Sequence, residues 1–380
     1  MNFIDVEAIL VIYGVICLIV ILLNIFYIIF SKLEPYRIEY SLKIYLRSIK
    51  KYISRYKRGK TIGKLSALKI RASFRRTMPL ISFDTLVSRM DGKEDIEKLY
   101  DIIRFNYKIL YELTNDYLKE SPLKTAYFLN ILYKYNILSV RPDDEILTII
   151  SKFIYRPSIY VRYNAFLVIL KYGDAQKVAD AIQIINKSEG YNYEKILSIG
   201  LLKFGGDEDE LIGILLSNFD SYKVWIQEAI TNYASYAGEN YKEQILKIMT
   251  NDSYSDQTRI FCIRYFGLYK YNTAYNYILS FASDKNNNKY EYKEMAIKTL
   301  AYYKCDETID ILKECLKSNN WNIKVSAAET LEKFGLKYSD LMDVFNYDDR
   351  YAKELMQYFL DIRKIRQQSN NEENDNGRGI

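Results

Sequence analysis

The chain has 380 residues, of which 49% are hydrophobic, enough to bury a large core and too many for a disordered polymer. Five prolines and fifteen glycines are few for an all-β protein, which needs many turns. No histidine is present, so the commonest general acid–base and the commonest metal ligand are both missing, and the net charge of +6 does not by itself point to a partner.

The chain opens with an uncharged run, Ala8 to Phe30, "AILVIYGVICLIVILLNIFYIIF". As a helix it spans about 35 Å, enough to cross a hydrocarbon core of about 30 Å with some tilt. A cleaved leader would start basic and end on small residues; this segment starts with Asp5 and Glu7 and ends bulky, so it reads as a retained span. Asn24 is the strongly polar side chain in it and a candidate for a hydrogen bond to a partner's transmembrane helix.

Residues 31–76 carry fifteen Lys/Arg and two Glu, a net charge of +13, whereas residues 1–7 carry no Lys or Arg. Cationic residues stay on the cytoplasmic side, which predicts a single-pass protein of the cell membrane, with residues 1–7 outside and everything after Phe30 in the cytoplasm. Residues 1–30 carry −2, so residues 77–380 carry −5 and the basic character belongs to the juxtamembrane segment alone. Within it, Ile38, Leu42, Tyr45, Leu46, Ile49, Tyr52, Ile53 and Tyr56 recur at helical spacing between Lys43, Arg47, Lys50, Lys51, Arg55, Lys57 and Arg58. That pattern predicts a basic amphipathic helix lying among anionic lipid headgroups or on a membrane partner. The adjoining span argues against nucleic acid as the target of these cations. Gly59-Lys60-Thr61 is not a phosphate loop, because Ser54 stands where its first glycine is needed.

From residue 77 onward the signal is repetition. Residues 93–120 read as one long helix that opens an array. Then "TAYFLNILYKYNI" from Thr125, "VRYNAFLVILKYG" from Val161, "YEKILSIGLLKFG" from Tyr193, "WIQEAITNYASYA" from Trp225, "TRIFCIRYFGLYK" from Thr258, "YKEMAIKTLAYYK" from Tyr292 and "IKVSAAETLEKFG" from Ile323 share one layout. Their starts lie 36, 32, 32, 33, 34 and 31 residues apart. Positions one, five, nine and twelve form an apolar helical face. Position five is small at Ala165, Ala229, Cys262, Ala296 and Ala327, and position twelve is aromatic at Tyr172, Phe204, Tyr236, Tyr269, Tyr303 and Phe334. Gly173, Gly205 and Gly335 read as left-handed helix stops. Between these segments lie shorter apolar patterns with acidic first turns, such as Asp207–Glu210, so each unit is a pair of antiparallel helices. Residues 338–366 cap the far end, and residues 367–380, almost without apolar side chains, read as a disordered tail.

The layout V-[RK]-x-x-A-x-x-x-[LI]-x-x-[aromatic]-G, clearest at 161–173 and 323–335, resembles HEAT repeats, and most of all the short bacterial type named after phycobilisome lyases. The resemblance covers roughly 120–336 and implies an all-α fold in which about seven HEAT-like helical hairpins stack into a superhelix over residues 77–366. It departs from the pattern at Glu194 and Ile226, and at Ala237, Lys270 and Lys304 where glycine is missing.

No nucleophile motif, metal cluster or glycine-rich loop is found, so no catalytic, metal or cofactor residue is assigned and no small-molecule substrate is evident. Cys17, Cys262, Cys305 and Cys315 form no C-x-x-C pair, and the last three read as small buried residues. The expected role is a membrane-tethered scaffold that binds a protein, itself a membrane protein. Tethered HEAT-like chains resemble accessory subunits of bacterial membrane complexes such as polysaccharide synthases. The second helix of each pair should present the contact positions: Tyr163, Lys195, Gln227, Ile260, Phe261, Arg264, Tyr265 and Lys298. The competing readings are a sensor of anionic membrane acting through the basic helix and a HEAT-type enzyme.

Overall fold

The computed structural model describes residues 3–56, 64–90, 93–138, 145–188, 194–283 and 289–376, and every regular element among them is a helix. The chain divides into two compact units, residues 1–173 and 174–380.

The first unit begins with α1, unbroken from Phe3 to Tyr56. The span and the basic segment, expected as separate pieces, are one helix: the Lys, Leu and Glu between them favour helix and offset the cost of an interior proline at position 35, about 3 kcal/mol. Next come α2 (Lys64–Phe74), α3 (Thr77–Ser88), α4 (Lys93–Phe105) and α5 (Tyr107–Tyr117). The single helix expected over 93–120 is thus broken at Asn106, whose side-chain amide donates back to the Ile102 carbonyl at 2.7 Å. After these, α6 (Pro122–Lys134), α7 (Glu145–Phe153) and α8 (Ile159–Tyr172) complete the unit. α1 packs on α3 and α4, α2 on α5, α3 on α6, and α8 on both α6 and α7. Arg71 of α2 grips both carboxylate oxygens of Asp116 at 2.6 and 2.7 Å and reaches Glu112 at 2.7 Å, a charge-assisted fork that fixes α2 on α5.

The second unit holds α9 (Ala175–Lys187), α10 (Glu194–Leu201), α11 (Glu208–Ser217), α12 (Val224–Ala237), α13 (Lys242–Thr250), α14 (Asp256–Leu268), α15 (Asn272–Ser283), α16 (Tyr290–Leu300), α17 (Asp306–Cys315), α18 (Trp321–Lys333), α19 (Met342–Phe345) and α20 (Arg350–Asn376). Each even-numbered helix from α10 to α18 packs on the next even one, α18 meeting α20 across the one-turn α19. α11, α13, α15 and α17 each pack on the helix that follows. Asp174, Asp207, Ser255 and Asn320 cap their helices by accepting from first-turn backbone N–H groups. α20 continues to Asn376, well into the segment expected to lack structure, because each added residue of a helix already begun gains one backbone bond.

The recurring segments fall on α6, α8, α10, α12, α14, α16 and α18. Their small fifth residues, Ala165, Ala229, Cys262, Ala296 and Ala327, are wholly buried where neighbouring helices meet. The twelfth position shows why tyrosine is so useful here. Tyr172 donates to the carbonyls of Leu132 and Tyr135 at 3.2 and 2.8 Å, Tyr269 to Ser235 at 3.3 Å, and Tyr303 to Phe266 at 3.0 Å. The Tyr172 and Tyr303 rings fill core and that of Tyr269 is half-buried, while each hydroxyl satisfies carbonyls at the C-terminal end of the preceding even helix, which have no intrahelical partners. Gly335 is left-handed, with φ 71°, but Gly173 is extended and Gly205 is not left-handed. After α12 the left-handed residue is Gly238, with φ 126°, one position beyond Ala237.

Candidate functional site

Leu10 to Leu33 of α1 is long and apolar enough to cross a membrane, and none of it is buried by protein. Asn24 donates one amide N–H to the Val20 carbonyl at 2.8 Å, so its own helix takes up part of the hydrogen-bonding capacity of the group expected to seek a partner helix. Beyond the span, Leu42 is 5% exposed beneath α3 and α4, whereas Lys43, Arg47 and Lys51 stand in solvent and Glu39 pairs with Lys43 at 3.8 Å. The backbone of Lys50 and Arg55 continues α1, their side chains are outside the described set, and Lys57 and Arg58 lie outside the described residues.

The contact positions expected on the even helices divide. Lys195 and Lys298 are exposed, with Lys298 paired to Glu294 at 2.5 Å, and Tyr163 is half-buried. Gln227, Ile260 and Tyr265 are not surface residues. The Gln227 amide donates to the Phe219 carbonyl at 3.1 Å, and the Tyr265 hydroxyl to that of Gly238 at 2.9 Å. Phe261 lies under the Arg264 guanidinium, 5.0 Å from its ring centroid, and Arg264 donates to Asn232 at 2.6 Å. Ile260, Phe261 and Tyr265, expected as contact positions, therefore present no apolar surface patch: α14 is covered on its flanks by α12, α13 and α16.

A different row is exposed. Leu202, Tyr236, Leu268 and Tyr302 are 44, 57, 56 and 58% exposed at the C-terminal ends of α10, α12, α14 and α16. The Tyr269 and Tyr303 bonds hold those ends of α12, α14 and α16 side by side, and the Tyr302 ring lies over Gly267, 3.6 Å from where a Cβ would stand. Lys203, Lys270 and Lys304 follow these residues and are exposed as well. Lys304 donates to the Phe334 carbonyl at 2.6 Å and Lys270 lies 5.4 Å from the Tyr303 centroid. The sequence carried a signal for this row in its tandem pairs, Leu268-Tyr269 and Tyr302-Tyr303. Successive residues on a helix are turned about 100° apart, so when one faces the core the other cannot.

Chemistry-bearing clusters are few. Cys305 is exposed rather than buried, because it precedes α17 as its N-cap residue. Its Sγ lies 3.0 Å from the Tyr275 hydroxyl and 3.2 Å from that of Thr308. Partial burial pushes the thiol pKa up, and these two hydroxyls outweigh it and hold it below the ordinary 9.0. Cys262 and Cys315 are buried, and burial pushes the Cys315 thiol up to about 11. A polar notch lined from α13, α14, α15 and α16 holds Arg259, which pairs with Asp252 and sits against the rings of Phe281 and Tyr292 at 5.6 and 5.4 Å. Among the described residues no group of three or more Cys, Asp and Glu is placed to hold a metal ion.

No protein-family model and no curated protein matches this chain. Among solved structures it is similar to an engineered protein from a structural genomics consortium, with 11% identity over 86% of this chain and 98% of that one. The TM-score is 0.35.

Proposed function

We propose that the chain is a non-catalytic scaffold tethered to the cell membrane by α1, with residues 1–7 outside and the helical units in the cytoplasm. In this reading the even helices and their partners are HEAT-like hairpins stacked as a solenoid, supported by the contacts of each even helix with the next. The observation that carries the reading is α1 itself: an apolar segment with no protein over it continues as one helix into a basic half that packs on α3 and α4. A bare apolar helix of that length needs a hydrocarbon environment, and the cations beyond it set its direction.

The surface that receives the partner is the row Leu202, Tyr236, Leu268 and Tyr302 with Lys203, Lys270 and Lys304 beside it. Exposed aromatic and aliphatic side chains flanked by cations fit an acidic, apolar-faced segment of a protein partner, itself a subunit of a membrane complex such as a polysaccharide synthase. Affinity purification of the full-length chain from detergent, beside a Leu268→Glu/Tyr302→Glu variant, tests this. A partner retained by the parent chain and lost from the variant is expected. Identical co-purifying proteins in both samples would sink the assignment of this surface.

A further inference from the structure

The first unit contains a half-open cavity of about 290 Å3 lined by α2, α3, α4, α5 and α6. Its walls include Leu80 and Phe83 of α3, Leu99 of α4, Leu113 of α5, and Phe128 and Leu132 of α6, all buried. The polar members of its lining are Lys69, Ser73 and Asn106, of which Lys69 is exposed and therefore stands at the mouth, and no acidic residue lines it. Lys69 is exposed and makes no ion pair among the described residues, whereas the nearby Arg71 is taken up by Asp116 and Glu112.

Protein interiors rarely leave voids much larger than a water molecule. Water does not stabilise this one, because a buried water needs two to four polar partners and these walls offer hydrocarbon. The volume lies at the lower end of ligand pockets, about 300 Å3, so a sterol or a two-chain lipid would not be enclosed. A nucleotide or sugar would leave its polar groups unpaired against these walls. An apolar interior with a cation at the mouth matches a single hydrocarbon chain with an anionic head. The two helices on which α1 packs, α3 and α4, are themselves walls of the cavity. We propose that the cavity binds one fatty-acid-type amphiphile drawn from the bilayer, its chain against Phe83, Phe128 and Leu132 and its carboxylate at Lys69. The bilayer as source rests on the anchor reading of α1; the pocket chemistry does not.

Full-length chain reconstituted in phosphatidylcholine vesicles is irradiated with a palmitic acid that carries a diazirine near its chain end, digested, and mapped by mass spectrometry. Labelling is expected in α3, α4, α5 or α6 in addition to residues 10–33. Labelling confined to residues 10–33 overturns the cavity proposal and leaves the anchor standing. Labelling of the cavity walls without residues 10–33 does the reverse. Phosphatidylcholine carrying the same diazirine chain should label the span alone; if it labels the cavity walls as strongly, the head is not recognised and the proposal fails. Lys69→Gln, on the surface, should lower cavity labelling by about fivefold, the effect of removing one cation from one anion near a membrane, and leave span labelling unchanged. Leu132→Trp, which fills the cavity, should abolish cavity labelling, and an unchanged yield from a folded variant overturns the site.

Discussion

Asp84 of α3 accepts hydrogen bonds from Tyr127 at 2.8 Å, from Lys134 at 2.7 Å and from the Tyr135 hydroxyl. Partial burial pushes its pKa up, and the three donors more than reverse this, holding it below the ordinary 3.8. The unfolded chain therefore takes up the proton at higher pH than the folded one. The carboxylate's contribution is complete above its unfolded pKa and is lost as pH falls through the folded value. Asp84→Asn should lower stability by about 1.5–3 kcal/mol at about pH 7, the range for hydrogen bonds to a charged group. In urea unfolding the gap between variant and parent should shrink by about pH 3, and a gap that does not change with pH would show that the charge is irrelevant. Gly267, against which the Tyr302 ring lies, gives a second test at this scale. A Cβ there would stand 3.4 Å from the Thr299 hydroxyl and 3.6 Å from its Cα, which is ordinary contact. Gly267→Ala should thus raise the melting temperature, since alanine favours a helix over glycine by about 1 kcal/mol. Gly267→Leu should lower it, because the longer side chain must displace Thr299 or Tyr302, at about 1–3 kcal/mol for an overpacked contact.

Among the elements, α1 carries the most consequence for function. Leu42 is the buried side chain among the described residues of its basic half, which packs on α3 and α4. Leu42→Ala should release that half at a cost of about 2 kcal/mol or more. Amide exchange over residues 39–51 should then speed up, with residues 10–33 unaffected; parental exchange rates would mean that the packing does not hold the helix. The repeat helices were legible in the sequence because an apolar face recurring every three to four residues is a local property: Val161–Gly173 predicts α8 at Ile159–Tyr172, and Ile323–Gly335 predicts α18 at Trp321–Lys333. The exposure of their remaining positions was not. A single helix's pattern gives the direction of its core but not what covers its flanks, which is why Ile260 and Tyr265 proved buried and Tyr236 and Tyr302 exposed. The same limit applies to Asn106, where one side-chain bond to Ile102 ended a helix whose apolar period runs straight through.

At the scale of the whole chain, its four cysteines can report on orientation without any added probe site. Cys262 and Cys315 are buried, Cys17 lies exposed in the apolar segment of α1, and Cys305 is exposed at the start of α17. A membrane-impermeant maleimide reacts with a thiolate in water, so a bilayer around residues 10–33 would shield Cys17 and leave Cys305 as the reactive thiol. The hydroxyls of Tyr275 and Thr308, which hold the Cys305 pKa below its ordinary value, increase its thiolate fraction near neutral pH. If the cations of residues 31–76 set the direction of insertion, Cys305 is on the cytoplasmic side. Intact cells should then leave the full-length chain unlabelled, and permeabilised cells should give one label per chain that Cys305→Ser removes. Labelling of Cys305 in intact cells would reverse the topology. Labelling of Cys17 by the impermeant reagent would mean that no bilayer shields this part of α1, and the scaffold would then need a different tether.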